Sequence, residues 1–110
     1  MAIILLVEDD AVCRYATSRR LRSEGHTVLA AQDAAEAIDI SNTWQGKIDL
    51  LCTDIRLPDL NGRDLAARIV KDRPQLATLY ITGYADVTDA LIKPFTEERL
   101  SAAVETALGK

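Results

Sequence analysis

The stretch Ile3-Ile4-Leu5-Leu6-Val7-Glu8-Asp9-Asp10 decides how the rest of the chain reads. Five consecutive apolar residues run straight into three acids. Five residues is strand length, and apolarity that is continuous rather than alternating means that both strand faces are covered. A parallel sheet held between two layers of helices has that requirement. Thr27–Ala31, Ile48–Thr53, Thr78–Thr82 and Ala90–Ile92 repeat the pattern further along.

Helix signals lie between these runs. Ala11–Glu24 stops at Gly25, a residue suited to ending a helix in the left-handed conformation. Asp33, with Glu36 three residues later, opens Ala34–Thr43 in the manner of a capping box. Gly62–Lys71 places Leu65, Ala66 and Ile69 on one face and ends before Pro74. Thr96 caps a last helix in which Leu100, Ala103, Val104 and Ala107 recur at helical spacing, with Gly109 as its stop. Strands and helices alternate along the chain, so the fold class is α/β, a doubly wound sandwich.

The alternation fails once. Only ten residues separate Thr82 from Lys93, and the last three of them form the fifth strand. The remaining seven, Gly83–Asp89, reach about 23 Å when extended. That allows a taut return past one short strand but not a crossover helix. A loop or a single turn is expected there. The sheet face beneath the missing helix, near Leu79 and Ile81, should then be thinly covered, and such a face suits a self-interface, so a homodimer is an expectation.

Composition limits the function classes. The chain has 110 residues, 48% hydrophobic and 27% charged, which describes one ordered globular domain. Its 13 basic and 17 acidic residues give a net charge of −4 with no basic run. A nucleic-acid or anionic-membrane surface is therefore not expected. The longest apolar run, Met1–Val7, is far too short to span a membrane and lacks the basic flank of a signal peptide. Two cysteines without a secretory signal suit a reducing, cytoplasmic setting. Cys13 and Cys52 read as packing residues, and Trp44 as a cover for the end of the second helix. Arg14, Arg19, Arg20 and Arg22 read as a solvated helix face.

In open α/β sheets the working crevice lies at the carboxyl ends of the strands. Here the first strand ends in Glu8, Asp9 and Asp10, the third in Asp54, the fourth in Thr82 and the fifth in Lys93. Those four acids carry a charge of −4, equal to that of the whole chain. Crowded carboxylates must be protonated or neutralised by a cation. Oxygen ligands with no histidine or cysteine among them favour Mg²⁺ over zinc. His26, the single histidine, falls at the opposite end of the sheet. A carboxylate, a divalent cation, a lysine and a threonine together describe phosphoryl transfer to an aspartate. In that reading Asp54 is the nucleophile, and Lys93 and Thr82 bind the phosphoryl oxygens.

Four motifs bring a resemblance into view: Leu5-Leu6-Val7-Glu8-Asp9-Asp10; Asp54 followed by Leu57-Pro58-Asp59-Leu60-Asn61-Gly62; Ile81-Thr82-Gly83; and Lys93-Pro94-Phe95. Together, from about Ile3 to Leu108, the chain resembles the CheY-like response-regulator receiver domains of two-component signalling. The resemblance implies a flavodoxin-like five-stranded parallel sheet of order 2-1-3-4-5 with helices on both faces. It also implies that Asp54 accepts the phosphoryl group, and that Glu8, Asp9, Asp54 and the backbone carbonyl of Arg56 hold Mg²⁺. Thr82 follows the phosphoryl group, Gly83 leaves it accessible, and Lys93 is the family's lysine, with a cis bond to Pro94. The implied partners are a histidine kinase or histidine phosphotransfer protein, docking on the first helix, and an unnamed downstream protein. The resemblance makes the chain a phosphorylatable signalling domain rather than an enzyme. With Lys110 directly after the last helix, residues 1–110 are expected to form a single receiver domain with no attached output domain.

Two features depart from the family pattern. The crossover helix before the fifth strand is missing, and Leu91 stands where the family tends to have a switch aromatic. Tyr84 is a candidate substitute. Three other classes compete with this reading. A haloacid-dehalogenase-type phosphatase needs an acid–base aspartate where Arg56 stands. A flavodoxin-like cofactor binder needs a hydroxyl- and glycine-rich phosphate loop where the three acids stand. A degenerate receiver would use only its surface, and would not need Asp54, Thr82 and Lys93 intact.

Overall fold

The structure, a computed structural model, describes residues 1–85 and 87–109. Its elements run β1 (Ile3–Val7), α1 (Ala11–Ser23), β2 (Thr27–Ala31), α2 (Ala34–Thr43), β3 (Leu50–Asp54), α3 (Gly62–Asp72), β4 (Ala77–Thr82), β5 (Ala90–Ile92) and α4 (Glu97–Ala107). The five strands form one parallel sheet of order β2-β1-β3-β4-β5. Among the described residues no helix is long and apolar enough to cross a membrane.

Alternate residues of each strand enter opposite cores, as the pleat requires. Leu5, Val7, Ala31 and Leu51 face α2 and α3, where they meet Ala34, Ala37, Leu65 and Ile69. Ile4, Leu6, Leu50, Cys52 and Ile81 face α1 and α4, where they meet Leu21, Leu100 and Val104. All five residues of β3 are buried, and so are the last four of β1. The strands that carry the acids are thus the best packed in the molecule.

The helix ends follow local chemistry. Asp33 Oδ1 accepts from the Glu36 amide at 2.8 Å, while Glu36 Oε1 accepts from the Gln32 amide at 3.1 Å. Thr96 Oγ1 caps α4 through the Arg99 amide. Glu24 is the C-cap of α1, and Gly25 follows with φ +92°, a conformation open to glycine.

The third strand begins at Leu50 rather than Ile48 and extends through Asp54. Ile48 is buried, but Asp49 is drawn sideways: its Oδ2 accepts from the Ile3 amide and its own amide donates to the Ile3 carbonyl. The return from β4 to β5 contains no helix among its described residues, as the chain length requires. It is not taut, however. Ala90 pairs with Tyr80, so the chain descends only two residues below Thr82, about 7 Å, and crosses one strand spacing of about 4.8 Å. A three-residue β5 removes the need for a long crossover.

The faces also need correction. Leu79 and Ile81 point toward α1 and α4, and Ile81 is only 1% exposed. The half-buried Tyr80 and Ala90 lie on the other face, where a crossover helix would pack. There Arg63 of α3 covers the Tyr80 ring at 4.6 Å and binds Asp89 in a two-pronged ion pair of 2.8 and 2.6 Å. Arg20 and Arg22 of α1 are engaged rather than merely solvated. Arg20 binds Glu97 and Ser101 of α4, and Arg22 donates to the Val28 carbonyl. Trp44 caps α2, packs against the first core and donates to the Lys47 carbonyl.

Candidate functional site

The carboxyl ends of β1, β3, β4 and β5 meet on one rim. Register puts Val7 beside Thr53, Asp54 beside Ile81, and Thr82 beside Ile92. The residues following these ends are therefore brought together by the sheet itself. Lys93 is tied in further by its amide, which donates to the Thr82 carbonyl at 2.7 Å.

Glu8, Asp9 and Asp54 offer carboxylate oxygens all within 4.8 Å of one another. Glu8 and Asp54 are buried and Asp9 is exposed. Lys93 Nζ lies 2.6 Å from Glu8 Oε1 and 3.0 Å from Asp54 Oδ1. The Asp54 approach lacks hydrogen-bond alignment, so Asp54 Oδ1 is buried without a hydrogen-bond donor among the described residues. A buried carboxylate oxygen without a donor, facing two further carboxylates, fits an oxygen-seeking dication.

Asp10 stands apart from this cluster. Its carboxylate accepts from the Val12 amide at 3.3 Å as the N-cap of α1, and its amide donates to Glu8 Oε2 at 3.1 Å. An acid immediately before a helix is drawn to the free amides of the first turn. Arg14 reaches back to donate to the Glu8 carbonyl at 2.8 Å. No periodicity in the sequence marks that contact, because its target is a backbone atom.

The electrostatics are asymmetric. Burial pushes the Asp54 carboxyl up, the hydrogen bond and charge of Glu8 push it further, and it reaches about 8. Burial also opposes charge on Glu8, but bonds with Asp54 and Lys93 outweigh it and lower that carboxyl to about 2. Burial likewise works against the Lys93 ammonium, and its two carboxylate partners more than compensate, holding it above its ordinary value. Cys13 lies beside Glu8; burial and the Glu8 carboxylate raise its thiol to about 11, so it stays protonated. Cys52 is fully buried on β3, its thiol pushed up chiefly by that burial. Both agree with packing roles.

Loops complete the rim. Gly62 allows α3 to start against β3: a Cβ there would lie 2.0 Å from the Asp54 carbonyl oxygen. Arg56 pairs with Asn61 in an isolated bridge, closing the turn that follows Asp54. At the tip of that turn Asp59 accepts from the Ala34 and Ala35 amides at 3.0 and 2.9 Å, a contact that turn residues alone do not announce. Thr82 is buried, and its Oγ1 accepts from the Tyr84 amide at 3.2 Å. The Tyr84 ring lies under the Arg56 guanidinium at 4.3 Å. Gly83 has open space around it, and the Lys93–Pro94 bond is cis. Leu91 packs into the second core. His26 sits at the far end, its Nδ1 accepting from the Ala2 amide.

Comparison with known proteins identifies the fold and the family. The receiver domain of the hybrid histidine kinase CckA superposes with a TM-score of 0.87 at 33% identity, covering 96% of this chain and 98% of that one. A CheY-like receiver domain protein from Methanospirillum hungatei gives 0.87 at 28% identity, covering 99% and 94%. In sequence, the sensor kinase CckA of Brucella abortus is 31% identical over 120 positions, covering 99% of this chain. The transcriptional regulatory protein GlrR of Escherichia coli is also 31% identical, over 118 positions and 97% of this chain. The chain spans 13% of the length of the first of these relatives and 26% of the second. Residues 4–105 match the response regulator receiver domain family, and with the sheet order and acidic rim in place the chain belongs to that family of phosphorylatable signalling domains.

Proposed function

We propose that this domain accepts a phosphoryl group on Asp54 from a phosphohistidine of a histidine kinase or phosphotransfer protein, and signals by protein contacts or passes phosphate along a relay. The single observation that carries the reading is the meeting of Glu8, Asp9, Asp54 and Lys93 at one rim. The ionised Asp54 carboxylate attacks phosphorus, the P–O bond forms as the donor P–N bond breaks, and the departing imidazole keeps the electron pair and takes up the proton that the Asp54 carboxyl has released.

Glu8, Asp9, Asp54 and the Arg56 carbonyl are the groups that would hold Mg²⁺. When bound, the ion supplies positive charge against the incoming phosphoryl oxygens. Lys93 Nζ, which lies between Glu8 and Asp54, would exchange a carboxylate partner for a phosphoryl oxygen. The Thr82 hydroxyl, a donor as well as an acceptor, is the second such group. Arg56 at the second position after Asp54 argues against the dehalogenase-type phosphatase, which needs an acid there. The three acids after β1 argue against a flavin phosphate.

Intact-mass measurement after exposure to acetyl phosphate and Mg²⁺ tests the reading. Wild type should gain one phosphoryl group and Asp54→Asn none. An Asn variant that still gains the mass would overturn the assignment of Asp54.

A further inference from the structure

We infer that Arg63 is a positioning residue for Lys93: through Asp89 and Tyr80 it holds β5 in register on β4, the task a crossover helix would otherwise perform. The inference rests on the proposed role of Lys93 in handling the phosphoryl group. Lys93 directly follows β5, a strand of three residues, so its ammonium is placed only as well as that strand is. The first rung of the β4–β5 ladder is Tyr80 with Ala90. Arg63 touches both sides of that rung, stacking on Tyr80 at 4.6 Å and gripping Asp89, the residue before Ala90, at 2.6 and 2.8 Å.

From the opposite face β5 is held by Leu91 in the second core, and at its end by the Lys93 amide on the Thr82 carbonyl. On the α3 face the arginine clasp ties the helix layer to the start of the strand. An exposed ion pair alone contributes little to stability. The geometry here is more specific: a planar guanidinium stacks and binds a carboxylate with two prongs at once. Lysine offers neither the plane nor the fork, so charge alone does not substitute.

Arg63→Ala, Arg63→Lys and Asp89→Ala should each slow phosphorylation by acetyl phosphate at saturating Mg²⁺ by about three- to tenfold. Mg²⁺ affinity, followed by titration calorimetry, should not fall, because Lys93 supplies no ligand atom and its ammonium, paired with Glu8 and Asp54, competes with the ion for those carboxylates. That split separates positioning from general loosening, which weakens both. The double alanine variant should be no slower than Arg63→Ala alone, and a slower one overturns the inference. The swapped pair Arg63→Asp with Asp89→Arg should recover part of the rate. Single variants at the wild-type rate, or rate and Mg²⁺ affinity falling together, overturn the inference. A wild type that takes up no phosphoryl group instead overturns the reading of Asp54, and this inference with it.

Discussion

Glu8 and Asp54 share one ammonium yet titrate in opposite directions. Asp54 is raised to about 8, so between roughly pH 4 and 8 the folded chain holds a proton that the unfolded chain has released. Stability of the metal-free protein should therefore fall as pH rises through that window, by about 1.4 kcal/mol per pH unit at most. Glu8 has the reverse sign: its contribution is present above its ordinary 4.5 and is lost as pH falls toward about 2. In Asp54→Asn the first slope should vanish. Denaturant melts in EDTA from pH 5 to 8 check this, and parallel curves for the two proteins would refute it. At this scale Asp54 and Lys93 were legible because each ends a continuous apolar run. The displacement of Asp10 from the acidic group was not, because helix capping and cation binding ask for the same side chain in the same place.

At the scale of elements, the turn after β3 is fastened to a neighbouring helix. Asp59 accepts two of the free amides at the start of α2, and those bonds hold its carboxyl below the usual range. Asp59→Ala should speed hydrogen exchange at the Ala34 and Ala35 amides while leaving the centre of α3 unchanged. Unaltered exchange at those two amides would show that the contact does not persist in solution. The order and type of the elements were readable from apolar runs and caps, and the absence of the crossover helix from chain length alone. Which alternate residues of β4 face which helix layer was not readable. Alternation sorts Leu79 and Ile81 from Tyr80, but only the assembled sandwich says which set meets α3. The slackness of the β4–β5 return was hidden for a similar reason, since register is a relation between strands.

For the molecule as a whole, the two cores meet at a sheet whose central strands end in acid that one lysine compensates only in part. Mg²⁺ binding to the folded form alone should stabilise it by about 2.7 kcal/mol at a hundredfold excess over Kd. That corresponds to a rise in Tm of roughly 10 °C or more for a domain of this size. EDTA should reverse the rise, and Asp54→Asn should show little of it. Equal shifts in both proteins would place the ion elsewhere. The sheet also tapers. β5 pairs with Tyr80–Thr82 and leaves Ala77–Leu79 at the margin on that side. The fifth strand thus adds its cross-strand bonding only at the end that bears the acids and the lysine. Insertions and deletions should follow the same gradient: the narrow end is where this domain tolerates being trimmed or spliced, and the broad end is where a single residue out of step would silence it.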